Sequence, residues 1–154
     1  MSWLYVEYMT VMVVAITRDE ARVWRRGLDK GTDPKRLDRP SEEGQHQRTR
    51  QAQKHRGHDV DHDDPRFFEE VADKIADATE ILLVGHGEGK ADFKDRFQAH
   101  LEHRRPEIAA KVVGNVDSDL NALTENQILS LARDWFEQFH RWGFASDDPW
   151  VRHW

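Results

Sequence analysis

Apolar residues fall along this chain in short blocks, each with its own period. Val11-Met12-Val13-Val14-Ala15-Ile16 is continuous and largely β-branched, the pattern of a strand buried on both faces. After the polar turn Thr17-Arg18-Asp19-Glu20, the run Ala21-Arg22-Val23-Trp24-Arg25 alternates apolar and charged, as a half-buried strand does. The two predict a hairpin. A third, weaker strand is expected near Lys35-Leu37, after the turn region Gly27 to Pro34. From Arg39 to Asp64 the only apolar residues, glycine and proline apart, are Ala52 and Val60. That stretch predicts a long mobile loop, of the kind that is usually functional or disordered.

Asp64-Pro65 reads as an N-cap followed by proline at the first helical position. Phe68, Val71, Ala72, Ile75 and Ala76 continue at helical spacing and predict a helix over 65–78. Ile81-Leu82-Leu83-Val84 is a short buried strand, and Gly85-His86-Gly87-Glu88-Gly89 a glycine-rich turn. Phe93, Phe97 and Leu101 mark one face of a second helix, whose lysine-bearing start is expected as a solvated face. Val112, Val113 and Val116 mark another strand. Thr124 with Gln127 forms a capping box. Ile128, Leu131, Ala132, Trp135, Phe136 and Phe139 give a third helix with an apolar stripe.

The expected order is β-β-(β)-α-β-α-β-α. An antiparallel opening followed by right-handed crossovers builds one mixed sheet with helices on its faces, α/β in class and ribonuclease H-like in topology. One domain over 9–139 is expected, carrying the mobile loop 39–64, with an aromatic C-terminal tail over 140–154. No internal repeat is visible.

Composition narrows the class. The chain has 154 residues, enough for one core without staples. Charged residues make up 34%, so the surface is heavily charged, yet the net charge of -6 excludes a uniformly basic coat. Zero cysteines exclude a disulfide framework, a thiolate metal site and a cysteine nucleophile. The longest apolar run, Met9 to Ile16, falls short of the ~20 residues of a membrane span. Residues 1–8 carry no cation and do not read as a signal peptide; Met9 or Met12 would begin the domain equally well. A cytoplasmic protein without a membrane partner is expected.

Three runs carry a family resemblance. Val13 to Trp24 (VVAITRDEARVW), Ile81 to Phe97 (ILLVGHGEGKADFKDRF) and Ala110 to Val116 (AKVVGNV) occur in that order, with a helix between the first two. Together they resemble the middle domain of archaeal and eukaryotic class-1 peptide-chain release factors and of Pelota. They are closer still to the small bacterial proteins usually called translational machinery proteins. The segment with Gly85, Gly89, Lys90, Asp92, Phe93 and Lys94 is the most specific part. The resemblance covers roughly residues 11–139 and implies the release-factor middle-domain type of sheet and a link to ribosomes. Release factors carry a Gly-Gly-Gln motif on the long loop, where it helps water attack the ester of peptidyl-transfer RNA. Here that loop holds Glu43-Gly44-Gln45, so Gly44 and Gln45 match while Glu43 replaces the first glycine. Glycine reaches backbone conformations that glutamate avoids, and a carboxylate sits badly beside RNA phosphates.

The loop has chemistry of its own. Gly44 to His58 holds Arg48, Arg50, Lys54 and Arg56 and no acid, with Gln45 among several further hydrogen-bond donors. Arginine forks pair with phosphate oxygens, and a basic, apolar-poor segment that orders on RNA is a common design. These residues are the candidate RNA contacts. His55, His58 and His62 have a spacing that allows metal ligation, but a flexible loop pre-forms no site, so no resident metal or other cofactor is expected. The glycine turn 85–89 matches neither phosphate-binding fingerprint and is expected as a packing turn. The first strand offers no acid for two-metal nuclease chemistry. Trp24 and Trp135 belong to core elements, whereas Trp3, Trp142, Trp150 and Trp154 lie towards the termini. Those aromatic termini either fold back on the domain or form a homodimer or partner surface.

Three functions follow. The first is a non-catalytic ribosome- or RNA-associated protein acting in translation on stalled or idle ribosomes, with transfer or ribosomal RNA as partner. The alternative is a peptidyl-transfer-RNA hydrolase with Gly44 and Gln45 as its catalytic pair. The third is a stress-related interaction protein that uses its aromatic termini and no nucleic acid.

Overall fold

The computed structural model describes residues 9–39, 64–87 and 92–143. Its strands are β1 (Val11–Ile16), β2 (Glu20–Trp24), β3 (Lys35–Asp38), β4 (Glu80–Gly85) and β5 (Val112–Asp117). Its helices are α1 (Pro65–Ile75), α2 (Phe93–Arg104), α3 (Pro106–Ala109) and α4 (Glu125–Trp142). The strands form one sheet in the order β3-β2-β1-β4-β5. The first three pair antiparallel, and β1, β4 and β5 run parallel. This is the mixed α/β sheet that the periodicity predicts, in ribonuclease H-like order.

Strand alternation divides the core into two layers. Met12, Val14 and Ile16 face α1, α2 and α3 and pack with Phe68, Phe97, Leu101 and Ile108. Val13, Ala15, Leu82 and Val84 face α4 and meet Ile128, Ala132, Trp135 and Phe136. The Phe68 and Phe97 rings lie 5.4 Å apart and tilted, joining α1 to α2. Both predicted caps are present. The Asp64 side chain accepts from the backbone N–H of Arg66 and Phe67, and Thr124 and Gln127 cap each other reciprocally.

Three details differ from the pattern. Helix α1 ends at Ile75, because Ala78 turns back onto Ile75 before β4 begins. Helix α3 was not expected; Pro106 opens it at a first helical position. The start of α2 is not a solvated face, since Lys94 is 1% exposed. Trp24 and Trp135 are buried as expected, while Trp142 at the end of α4 is 59% exposed. Among the described residues no helix is long and apolar enough to cross a membrane.

A charged staple closes the α1–α2 layer. Glu69 of α1 meets His100 Nε2 at 2.6 Å and Arg105 Nη1 at 3.0 Å, and Arg105 also reaches Asp73 and Glu107. The hydrogen bond to His100 is the main cause that holds the Glu69 carboxyl below the usual carboxylate range, with burial opposing it. A depressed carboxylate stabilises the fold above its unfolded pKa and loses that contribution as pH falls through its folded pKa. Glu69→Gln is therefore expected to lower stability by at most about 1 kcal/mol near neutrality, as half-exposed ion pairs do. The gap from the wild type should close on acidification. Urea midpoints of both proteins across the acid range measure it, and a constant gap would show that the carboxylate charge is not responsible.

Candidate functional site

The parallel strands end together at Ile16, Gly85 and Asp117. From β1 the chain turns into the hairpin towards β2, whereas from β4 it leaves through α2 towards β5. Adjacent strands whose chains depart in opposite directions leave a crevice at their carboxyl ends, the usual ligand position in such sheets. A cleft of about 420 Å³ opens there, lined by Thr17, Arg18, Glu20, Arg22, His86 and Asn121 among others. His86 Nδ1 stands 3.9 Å from Asp119 Oδ1. Arg22 Nε is buried without a hydrogen-bond acceptor, 3.5 Å from Glu20 Oε2. The other end of the Arg22 guanidinium meets Glu125 at 3.3 Å, which ties the start of α4 to this edge.

Beside the cleft lies a buried cation. The Lys94 stem crosses the end of β4 at Gly85, where an added Cβ would meet Ile16 O at 2.9 Å and Lys94 Cβ at 3.3 Å. Only glycine allows that approach. The Lys94 ammonium then reaches Asp117 Oδ1 at 2.6 Å, Asp95 at 3.4 Å and Asp92 at 3.9 Å. An added Cβ on Gly87 would overlap the Asp117 carboxylate, so the chain after β4 packs directly on this pair. Burial, and after it the hydrogen bond to Asp95, push Asp92 above the usual carboxylate range. Burial also acts to raise Asp95, but hydrogen bonds from Asp92 and Asn115 and the Lys94 charge outweigh it and hold Asp95 low. Of these two carboxyls, Asp92 takes up a proton first.

The third component is the root of the basic segment. The Arg39 backbone N–H donates to Asp19 O at 2.8 Å, and its Nη1 donates to Arg18 O at 3.4 Å. Arg39 Nε also stands 3.8 Å from Asp64 Oδ2, on the side chain that caps α1. Arg39 and Asp64, the described residues on either side of 40–63 in the sequence, thus meet in one ion pair next to the cleft. The candidate RNA contacts Gln45, Arg48, Arg50, Lys54 and Arg56 lie outside the described residues, as do Gly44, the histidines His55, His58 and His62, and the terminal tryptophans other than Trp142. Gly89 and Lys90 lie outside them too. Among the described residues, no three His, Asp or Glu side chains are grouped to hold a metal ion.

The helical pattern already carried a signal for Lys94. Positions 94, 97 and 101 share one helical face, and Phe97 and Leu101 are fully buried. Asp117 gave no such signal, since a lone carboxylate after a strand reads as an ordinary strand end.

No family model and no curated protein matches the chain. Among solved structures it is similar to Pelota from Archaeoglobus fulgidus, at 17% identity over 90% of this chain, with a TM-score of 0.47. It is also similar to an archaeal translation termination factor, at 15% identity over 86% of this chain, with a TM-score of 0.39. The chain spans about two-fifths of each of them, 42% and 40% respectively.

Proposed function

We propose that this protein is a non-catalytic, cytoplasmic RNA- or ribosome-associated factor that acts in translation on stalled or idle ribosomes, with the segment 40–63 as its RNA-contacting arm. One observation carries the reading: the arm is rooted through Arg39 and Asp64 at the crevice edge of the sheet. Its central stretch holds Arg48, Arg50, Lys54 and Arg56 with no acid, in a chain of net charge -6. Cations gathered on one tethered segment attract phosphates locally although the protein as a whole is acidic. Glu43 stands against ester hydrolysis, because it adds a charge and restricts the backbone where release factors have the first glycine of their motif.

Glutamine at Arg48, Arg50, Lys54 and Arg56 together is expected to weaken binding to ribosomes and to single-stranded RNA. The log-log salt slope should fall by roughly 0.7–0.9 for each phosphate that the variant no longer neutralises. Filter binding over a salt series, with sedimentation of tagged protein through sucrose gradients, measures both. Unchanged affinity and slope in the quadruple variant would remove the arm from the interface.

A further inference from the structure

We propose a second, separate anion site at the opposite end of the sheet: a pocket between the β2–β3 connection and the end of α1 that binds a phosphate group. The pocket encloses about 400 Å³ and is lined by Arg25, Arg26, Lys35 and Lys74, with Val23, Pro34 and a single acid, Asp33. Strand β2 runs antiparallel to β1, so Trp24 and the arginines after it lie at the amino end of β1, away from the crevice.

The cations divide into one holder and three free charges. Arg25 donates through Nε to Lys74 O at 2.8 Å and through Nη2 to both oxygens of Asp77, which joins the strand end to α1. Arg26, Lys35 and Lys74 have no side-chain hydrogen bond or ion pair among the described residues. Among the other described cations, Arg22, Arg36, Lys94, Arg105 and Arg141 each face a carboxylate.

The connection between Arg26 and Asp33, which flank the pocket, is held in advance. Trp24 Nε1 donates to Thr32 O at 3.0 Å, Gly31 N–H to Asn126 Oδ1 at 2.8 Å, and Arg133 Nη1 to Leu28 O at 2.6 Å. Gly27 and Gly31 sit at φ 119° and 86°, conformations that suit glycine and shape the turn. Arg26 of the connection, Lys35 at the start of β3 and Lys74 near the end of α1 line one pocket without carboxylate partners of their own, a repulsion that an anion would relieve. Because the loop is already ordered, little entropy is lost on binding. Compact ammonium groups and a guanidinium around a concave, partly apolar wall suit a phosphate. No aromatic slot lines the pocket that would suit a peptide side chain or a base. The phosphate is assigned to the backbone of RNA, which rests on the proposed function; the arm and this pocket would then grip one RNA at two ends of the sheet.

The test uses the full chain and the triple variant Arg26→Gln, Lys35→Gln and Lys74→Gln, which spares Arg25. The charge-conserving variant Arg26→Lys, Lys35→Arg and Lys74→Arg is the control for folding. Inorganic phosphate should shift the backbone amide resonances around Arg26, Lys35 and Lys74 in the wild type and the control, and not in the triple variant. A fluorescent single-stranded RNA should bind the triple variant about tenfold or more weakly, with a salt slope lower by roughly 2, as expected when about three phosphates go unpaired. This effect should add to that of the arm variant. Phosphate shifts at the pocket without RNA binding by the wild type would keep the phosphate site, assign it to a small phosphorylated molecule and overturn the RNA-associated function. Loss of RNA affinity in the arm variant alone, with no phosphate shift at the pocket, would overturn the second site and leave the function standing.

Discussion

Neutralising Asp95 and Asp117 together, as D95N/D117N, is expected to destabilise the fold by about 3 kcal/mol, whereas K94M costs less than about 1.5 kcal/mol. The difference comes from where water reaches. Lys94 is 1% exposed, but the Asp117 side chain is 67% exposed and that of Asp95 is 47% exposed. Removing the ammonium leaves carboxylates that water still solvates, and methionine keeps the stem that packs over Gly85. Removing the carboxylates strands a buried cation with Asp92, at 3.9 Å, as its remaining acidic partner. An uncompensated buried charge is the costly case. Adding K94M to the double variant should restore most of the stability, because the stranded charge is then gone. Urea unfolding of the four proteins at neutral pH reads this directly. Equal losses for K94M and D95N/D117N would mean that the cluster acts through packing and not through charge.

Gly114→Ala is expected to cost about 2–3 kcal/mol, the upper part of the range for overpacking a well-filled core. The register between β4 and β5 shifts after Ile81, so that Gly114 lies opposite Leu82. A Cβ at Gly114 would overlap the Trp135 ring and approach Leu82 Cδ1 to 2.7 Å. Trp135 cannot swing aside, since it is stacked on Phe139 at 5.1 Å and edge-on to Phe136 at 5.3 Å. W135F shortens the ring where the methyl would enter. The double variant G114A/W135F should therefore lose less than the sum of its parts, with a coupling of about 1 kcal/mol or more. Strict additivity in thermal or urea unfolding would show that the strain lies in the β5 backbone instead. Displacing β5 also displaces Asp117, so amide shifts around Lys94 should accompany the loss of stability.

Local patterns in the chain were enough for the strands and long helices. The alternation through Ala21 and Val23 and the stripe from Ile128 to Phe136 each have a period that only one kind of element satisfies, and the short, β-branched run Val11–Ile16 favours a strand by its length and composition. The caps at Asp64 and Thr124 were legible because a capping hydrogen bond spans three residues or fewer. Helix α3 escaped because four residues are too few to show a period. The basic composition of the arm was likewise legible, since counting charges needs no coordinates.

Three features were decided by tertiary structure alone. The Arg39–Asp64 ion pair, the Lys94–Asp117 contact and the pocket of Arg26, Lys35 and Lys74 join residues from separate elements, brought together by the order β3-β2-β1-β4-β5. Secondary structure follows from interactions within a few residues, which the chain's own periodicity records. Whether a charge is buried, paired or left free depends on which distant segment the sheet brings beside it, and no local pattern encodes that.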